Sequence, residues 1–154
     1  MNKQSKIKES IEGIIKTRRF AVLATEGEGQ PHASLIAITP FGNFRQLIFA
    51  TYTNTRKYRN LVHNSKVAVL IEGLNVNMKG LKESVALTII GHSEEISIEE
   101  NEAAFNTHLK WHPEMESFML SSDCALIMVI ARSFQIVYGI DDIRWITADD
   151  LDAI

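Results

Sequence analysis

The apolar positions change period several times along the chain, and each change marks an element. Ile7, Ile11, Ile14 and Ile15 recur at helical spacing among Lys and Glu, which predicts an amphipathic helix ending near Thr17. Phe20 to Thr25 is a short apolar run closed by Glu26-Gly27-Glu28-Gly29, the pattern of a buried strand entering a turn. A second strand is expected from Pro31 to Thr39. Pro40-Phe41-Gly42-Asn43 then supplies turn chemistry before a third strand from Gln46 to Thr51. Runs this closely spaced favour antiparallel hairpins, because a parallel crossover needs a dozen or more connecting residues.

Beyond them the pattern predicts a short helix over about Arg56 to His63 and a strand from Lys66 to Ile71. Another strand is expected from Val85 to Gly91, with an extension toward Ile96. The stretch Gly73 to Glu83 follows neither period and holds two glycines, so it reads as a loop. Ser97 followed by Glu100 forms a capping box and predicts a helix reaching about Leu109. Pro113 interrupts it, and one further helical turn is expected across Glu114 to Leu120. Ala125 to Tyr138 is a long, largely apolar strand, and Thr147-Ala148-Asp149-Asp150 opens a last short helix. The sum is one domain over residues 1–154, mainly β within the α+β class. Six antiparallel strands form a β-barrel with peripheral helices.

Composition narrows the function classes. With 154 residues, 45% hydrophobic and 23% charged, the chain can bury a substantial core and is not disordered. A formal charge of −3 argues against nucleic acid as the main partner. No apolar run is long enough to span a membrane. A charged start and a single cysteine, Cys124, lead to the expectation of a cytoplasmic protein.

The informative contrast lies between helix starts. A helix N-terminus is partially positive and leaves N–H groups unpaired, so acids belong there. Glu99-Glu100 and Asp149-Asp150 obey that rule. The helix after the third strand opens instead as Thr51-Tyr52-Thr53-Asn54-Thr55-Arg56-Lys57-Tyr58-Arg59, with three cations and no acid. An anion would reverse the sign of that arrangement, drawing hydroxyls, free N–H groups, a guanidinium and an ammonium onto one phosphate. The alternative is a solvated basic helix face capped by Thr55 or Asn54.

Phe49-Ala50-Thr51, Thr55-Arg56-Lys57, Asn60-Leu61, Asn64 and Val67-Ala68-Val69 together resemble the pyridoxamine 5′-phosphate oxidase-related family. So do Ala24-Thr25, Gly29-Gln30-Pro31 and the strand holding Ser34. The resemblance covers roughly residues 10 to 139. It implies a split β-barrel that binds FMN, and a homodimer with the cofactor at the subunit interface. Carried over by position, Thr55, Arg56 and Lys57 would bind the phosphate. Ala50 and Thr51 would line the phosphate and ribityl path. Ser34, Leu35 and Ile36 would lie along the isoalloxazine ring, chiefly through backbone groups. The resemblance implies an FMN-dependent oxidoreductase, with a non-catalytic flavin- or haem-binding protein as the alternative. It does not reach the vitamin B6 site: the oxidases' arginine and lysine near positions 34 and 39 are Ser34 and Thr39 here.

The remaining chemistry-bearing residues have plainer readings. His108 and His112 are four apart, but Pro113 follows at once and no third ligand is evident, so a surface or interface pair is expected rather than a metal site. Trp111 and Trp145 are expected in core or dimer packing, and Cys124 as a small buried apolar residue. His32 shares a strand face with Ser34 and is expected to be partly buried. Lys79 and Lys82 are expected to be exposed.

Overall fold

A computed structural model of the chain describes residues 2–76 and 79–154. The N-terminal helix α1 (Lys3–Thr17) buries the four isoleucines that its period marks. Two strands follow, β1 (Phe20–Gly27) and β2 (Gln30–Ala37), joined by Glu28 and Gly29, both at positive φ. Two such residues build the tight hairpin turn whose twist matches the flanking strands. The expected second strand breaks at Ile38 and resumes as β3 (Thr39–Phe41), and the turn proper follows at Gly42 to Phe44. Then come β4 (Gln46–Tyr52), α2 (Arg56–His63), β5 (Lys66–Val76) and β6 (Lys82–Ile96).

The stretch Gly73 to Glu83 is therefore not simply a loop. β5 and β6 pair in unbroken register from Lys66↔His92 to Val76↔Lys82, and residues 77 and 78 between them lie outside those described. Gly73 is no breaker: a Cβ there would meet the Ile14 side chain at 2.9 Å, so it lets α1 settle against the sheet.

The helix predicted from Ser97 begins later, as α3 (Glu102–Trp111). Ser97 Oγ does accept the Glu100 N–H at 3.3 Å, but that bond closes a turn ahead of the helix. A 3₁₀ turn (Pro113–Met115), α4 (Glu116–Met119), β7 (Cys124–Tyr138), β8 (Asp142–Thr147) and α5 (Ala148–Asp152) complete the chain.

Among the described residues the strands number eight rather than six. They form one antiparallel sheet in the order β2-β1-β5-β6-β7-β4-β3, with β8 paired to β7. The path does not close by hydrogen bonding, although β2 comes into contact with β4 across the gap. The main core fills the concave side under α1, α5 and the inward rows of β1, β5, β6 and β7. A second, smaller apolar cluster of Ile48, Leu126, Met128 and Ala104 lies under α3. No helix among the described residues is long and apolar enough to cross a membrane.

Candidate functional site

The junction of β4 and α2 gathers the polar residues that the charge pattern singles out. Thr51, at the end of β4, is buried, and its hydroxyl lies 3.1 Å from that of Thr55. Thr55 is the N-cap of α2: its Oγ1 accepts the Tyr58 N–H at 3.3 Å and donates to the Tyr52 carbonyl at 2.9 Å. The Arg56 and Lys57 amides, in the first turn, have no intrahelical acceptor. Arg56 is exposed and Lys57 half-buried, and among the described residues neither joins an ion pair. Burial pushes the Lys57 ammonium below its ordinary value. A cation is thus partly withdrawn from water beside a positive helix end with no acid to compensate it.

The other predicted residues divide by side-chain direction. Ala50, half-buried, belongs to the cluster under α3, on the sheet face opposite Thr51. On β2, Ile36 is buried inward while Leu35 is 69% exposed on the outer face. Ser34 points the same way as Ile36, and its buried hydroxyl has no hydrogen-bond partner among the described residues. No hydrogen bond among the described residues ties Ser34, Leu35 or Ile36 side chains to the Thr51–Lys57 cluster. The first group sits on edge strand β2 and the second runs from the end of β4 into α2; β2 and β4 come into contact without pairing.

Thr25, Asn60 and Asn64 carry the resemblance in sequence, but sequence reasoning missed the bonds by which they and Glu26 hold α2 in place. Asn60, 5% exposed, donates from Nδ2 to Thr25 Oγ1 on β1 at 3.0 Å. One turn on, Asn64 Nδ2 donates to Glu26 Oε2 at 2.8 Å, and Glu26 also accepts the Gly29 N–H. Those two bonds, that from Asn64 first, hold the Glu26 carboxyl below its usual range. The Tyr52 and Phe118 rings, 4.1 Å apart and tilted by 38°, pack beside the cluster. Cys124, opposite Tyr52 in register, is half-buried, and burial pushes its thiol up.

The histidines differ from expectation. His108 and His112 are fully buried, not a surface pair. His108 Nδ1 bonds Thr39 Oγ1 at 2.7 Å, and His112 Nε2 donates to the Ile38 carbonyl at 2.7 Å. No metal-ligand cluster of three or more His, Cys, Asp or Glu side chains occurs among the described residues. Trp145, 60% exposed, is not in the core of this chain, while Trp111 is half-buried. His32 is half-buried, and Lys79 and Lys82 are exposed.

An open antiparallel sheet around one core, flanked by helices and carrying a cationic helix start at a strand end, defines a split-barrel protein. The pyridoxamine 5′-phosphate oxidase family profile matches residues 7–136, and the chain belongs to that family. Solved structures share the fold. A haem-binding protein from Mycobacterium smegmatis superposes with a TM-score of 0.81 at 22% identity, over 95% of this chain and 60% of that one. A Clostridium acetobutylicum protein related to general stress protein 26, of the pyridoxinephosphate oxidase family, gives 0.72 at 14% identity, over 95% and 97%. An FAD-binding protein from Mesorhizobium loti gives 0.69 at 10% identity, over 83% and 91%. The chain thus spans about three fifths of the M. smegmatis protein's length. No curated protein matches it.

Proposed function

We propose that the chain binds FMN, with the phosphate held at the start of α2, and acts as an FMN-dependent oxidoreductase on a small organic substrate. The observation that carries this reading is the half-buried Lys57, without an ion pair among the described residues, beside Arg56 at a helix N-terminus capped by Thr55. The donor set fits a phosphomonoester: the Thr51 and Thr55 hydroxyls, two first-turn amides, a guanidinium and an ammonium. Ser34, whose buried hydroxyl lacks a partner among the described residues, stands on the strand proposed to run along the ring with Leu35 and Ile36. Ala50 and Thr51 would border the ribityl path.

When bound, FMN supplies the redox chemistry, while the protein supplies binding, orientation and exclusion of water. Vitamin B6 is disfavoured as substrate. Thr39, where the resemblance would require a phosphate-binding lysine, is fully buried and bonded to His108.

We further propose a homodimer in a reducing, cytoplasmic setting. The dimer is supported by an apolar outer face on β2, β1 and β5 that continues from Leu35 (69% exposed) to Leu70 (45% exposed), and the reducing setting by the single cysteine, Cys124.

Purified protein should show flavin absorbance bands, retained or restored by adding FMN and desalting. Reduction of the bound flavin by a nicotinamide donor, with reoxidation by a substrate, separates an oxidoreductase from a carrier. A Soret band in their place would overturn the reading in favour of haem, the ligand named for the M. smegmatis neighbour.

A further inference from the structure

Helix α2 carries the proposed anion site, yet little apolar packing fixes its rotation. Its buried residues are Leu61 and one polar side chain, Asn60, with Tyr58 partly buried against the core. Residues 56, 57, 60 and 64 share a face of the helix by their spacing. Along that face the two cations give way to the two amides that grip the β1–β2 hairpin.

Asn60 donates to Thr25 Oγ1, and both side chains are at least nine-tenths buried. Space for the amide is made by Gly27: a Cβ there would lie 2.2 Å from Asn60 Oδ1. A buried Leu at position 60 would give α2 more hydrophobic stabilisation, but no preferred azimuth. A hydrogen bond is directional where apolar contact is not.

We propose that Asn60 and Thr25 are positioning residues for the anion site. Their bond sets the rotation of α2 so that Arg56 and Lys57 address the Thr51 and Thr55 hydroxyls. This rests on the reading of α2 as the phosphate site, and the experiment below separates the two.

FMN and riboflavin differ by the phosphate alone, so their affinity ratio measures the anion site and not the fold. Both are titrated into wild type, Thr25→Val, Thr25→Ser and the double variant Thr25→Val/Asn60→Leu, with melting temperature followed in parallel. The single Thr25→Val change leaves a buried amide unpaired and costs stability. The double variant removes both polar groups and is expected to regain it.

Positioning predicts that both Val-containing variants lose FMN affinity by about tenfold, close to 1.4 kcal/mol, with riboflavin affinity unchanged. Thr25→Ser, which keeps the hydroxyl, should bind FMN as wild type does. Recovery of FMN affinity along with stability in the double variant would show a merely structural bond and overturn the proposal. So would a parallel loss for FMN and riboflavin. Equal wild-type affinity for FMN and riboflavin would instead remove the phosphate site itself, and the positioning role with it.

Discussion

His108 and His112 lie one helical turn apart with ring centroids 5.0 Å from each other, and neither exposes any surface. Together they pin the end of α3 to the β2–β3 junction through Thr39 and Ile38. Arg19 and Glu114 close the outer side: Arg19 Nη2 lies 3.4 Å from His112 Nδ1 and 2.7 Å from Glu114 Oε1. Burial, with the neighbouring His112 next, lowers His108 from its ordinary 6.5 to about 4.

The folded state therefore holds His108 neutral where the unfolded chain would protonate it. Its contribution is complete above about pH 6.5 and is lost as pH falls toward 4, to a limit on the order of 3 kcal/mol. Glu26, Glu114 and Asp142 are shifted down, so their contributions persist to lower pH. Urea unfolding should show stability falling across the interval from 6.5 to 4.5, and His108→Gln should flatten that slope. A flat wild-type profile there would refute the assignment.

Gly91 marks the one register shift between β6 and β7. A Cβ at this position would stand 2.1 Å from the Ile130 carbonyl oxygen, which is backbone and cannot swing away. Gly91→Ala must part the two longest strands, and a loss of about 2–4 kcal/mol is expected in chemical denaturation. Gly13 is exposed within α1, and a Cβ there would meet nothing within 4 Å. At that position the same substitution should stabilise by roughly 0.5–1 kcal/mol, since alanine orders more cheaply in a helix.

Arg56 and Lys57 stand where cations oppose the helix dipole. Replacing both with alanine should leave the melting temperature of the FMN-free protein unchanged or slightly raised. FMN affinity should fall by at least about tenfold, and riboflavin affinity should hold. Wild-type FMN binding should also weaken with ionic strength, because part of the attraction acts across solvent. Unaltered FMN affinity in the double variant would refute the phosphate site.

How far the sequence discloses this molecule depends on whether a feature is local. Ile7, Ile11, Ile14 and Ile15 announce α1 because one period carries the whole signal, and Glu28-Gly29 announces its hairpin turn for the same reason. Thr51 through Lys57 are legible as a candidate site because they are contiguous. Gly73 misleads as a loop marker, since its reason is the side chain of Ile14, far away in sequence. β8 escapes notice because only Ile146 of its residues is buried. His108 and His112 look like surface groups until the Thr39 hydroxyl and the Ile38 carbonyl at the β2–β3 junction, which they bond, are in view. Asn60 is part of the resemblance, but its bond is silent in sequence because its partner, Thr25, is 35 positions away.

The outer face of the sheet leads to the last expectation. Antiparallel sheets with one solvated side normally alternate apolar inward and polar outward. Here the outward row across β2, β1 and β5 reads Leu35, Val22, Leu70 in direct register. The next row reads Ala33, Ala24, Ala68, and Ile90 of β6 extends it. Leu35, Val22, Leu70 and Ile90 are 69%, 36%, 45% and 37% exposed, a contiguous apolar patch of the kind that marks association. The occupant proposed for it is a second copy of the chain. Sedimentation or light scattering should then give twice the chain mass for wild type. Leu35→Glu with Leu70→Glu, which places four charges in the closed interface, should give monomers that remain folded by circular dichroism. A wild-type monomer at micromolar concentration would refute the dimer. A monomeric variant that still binds FMN as tightly as the dimer would show that each cofactor site is complete within one chain.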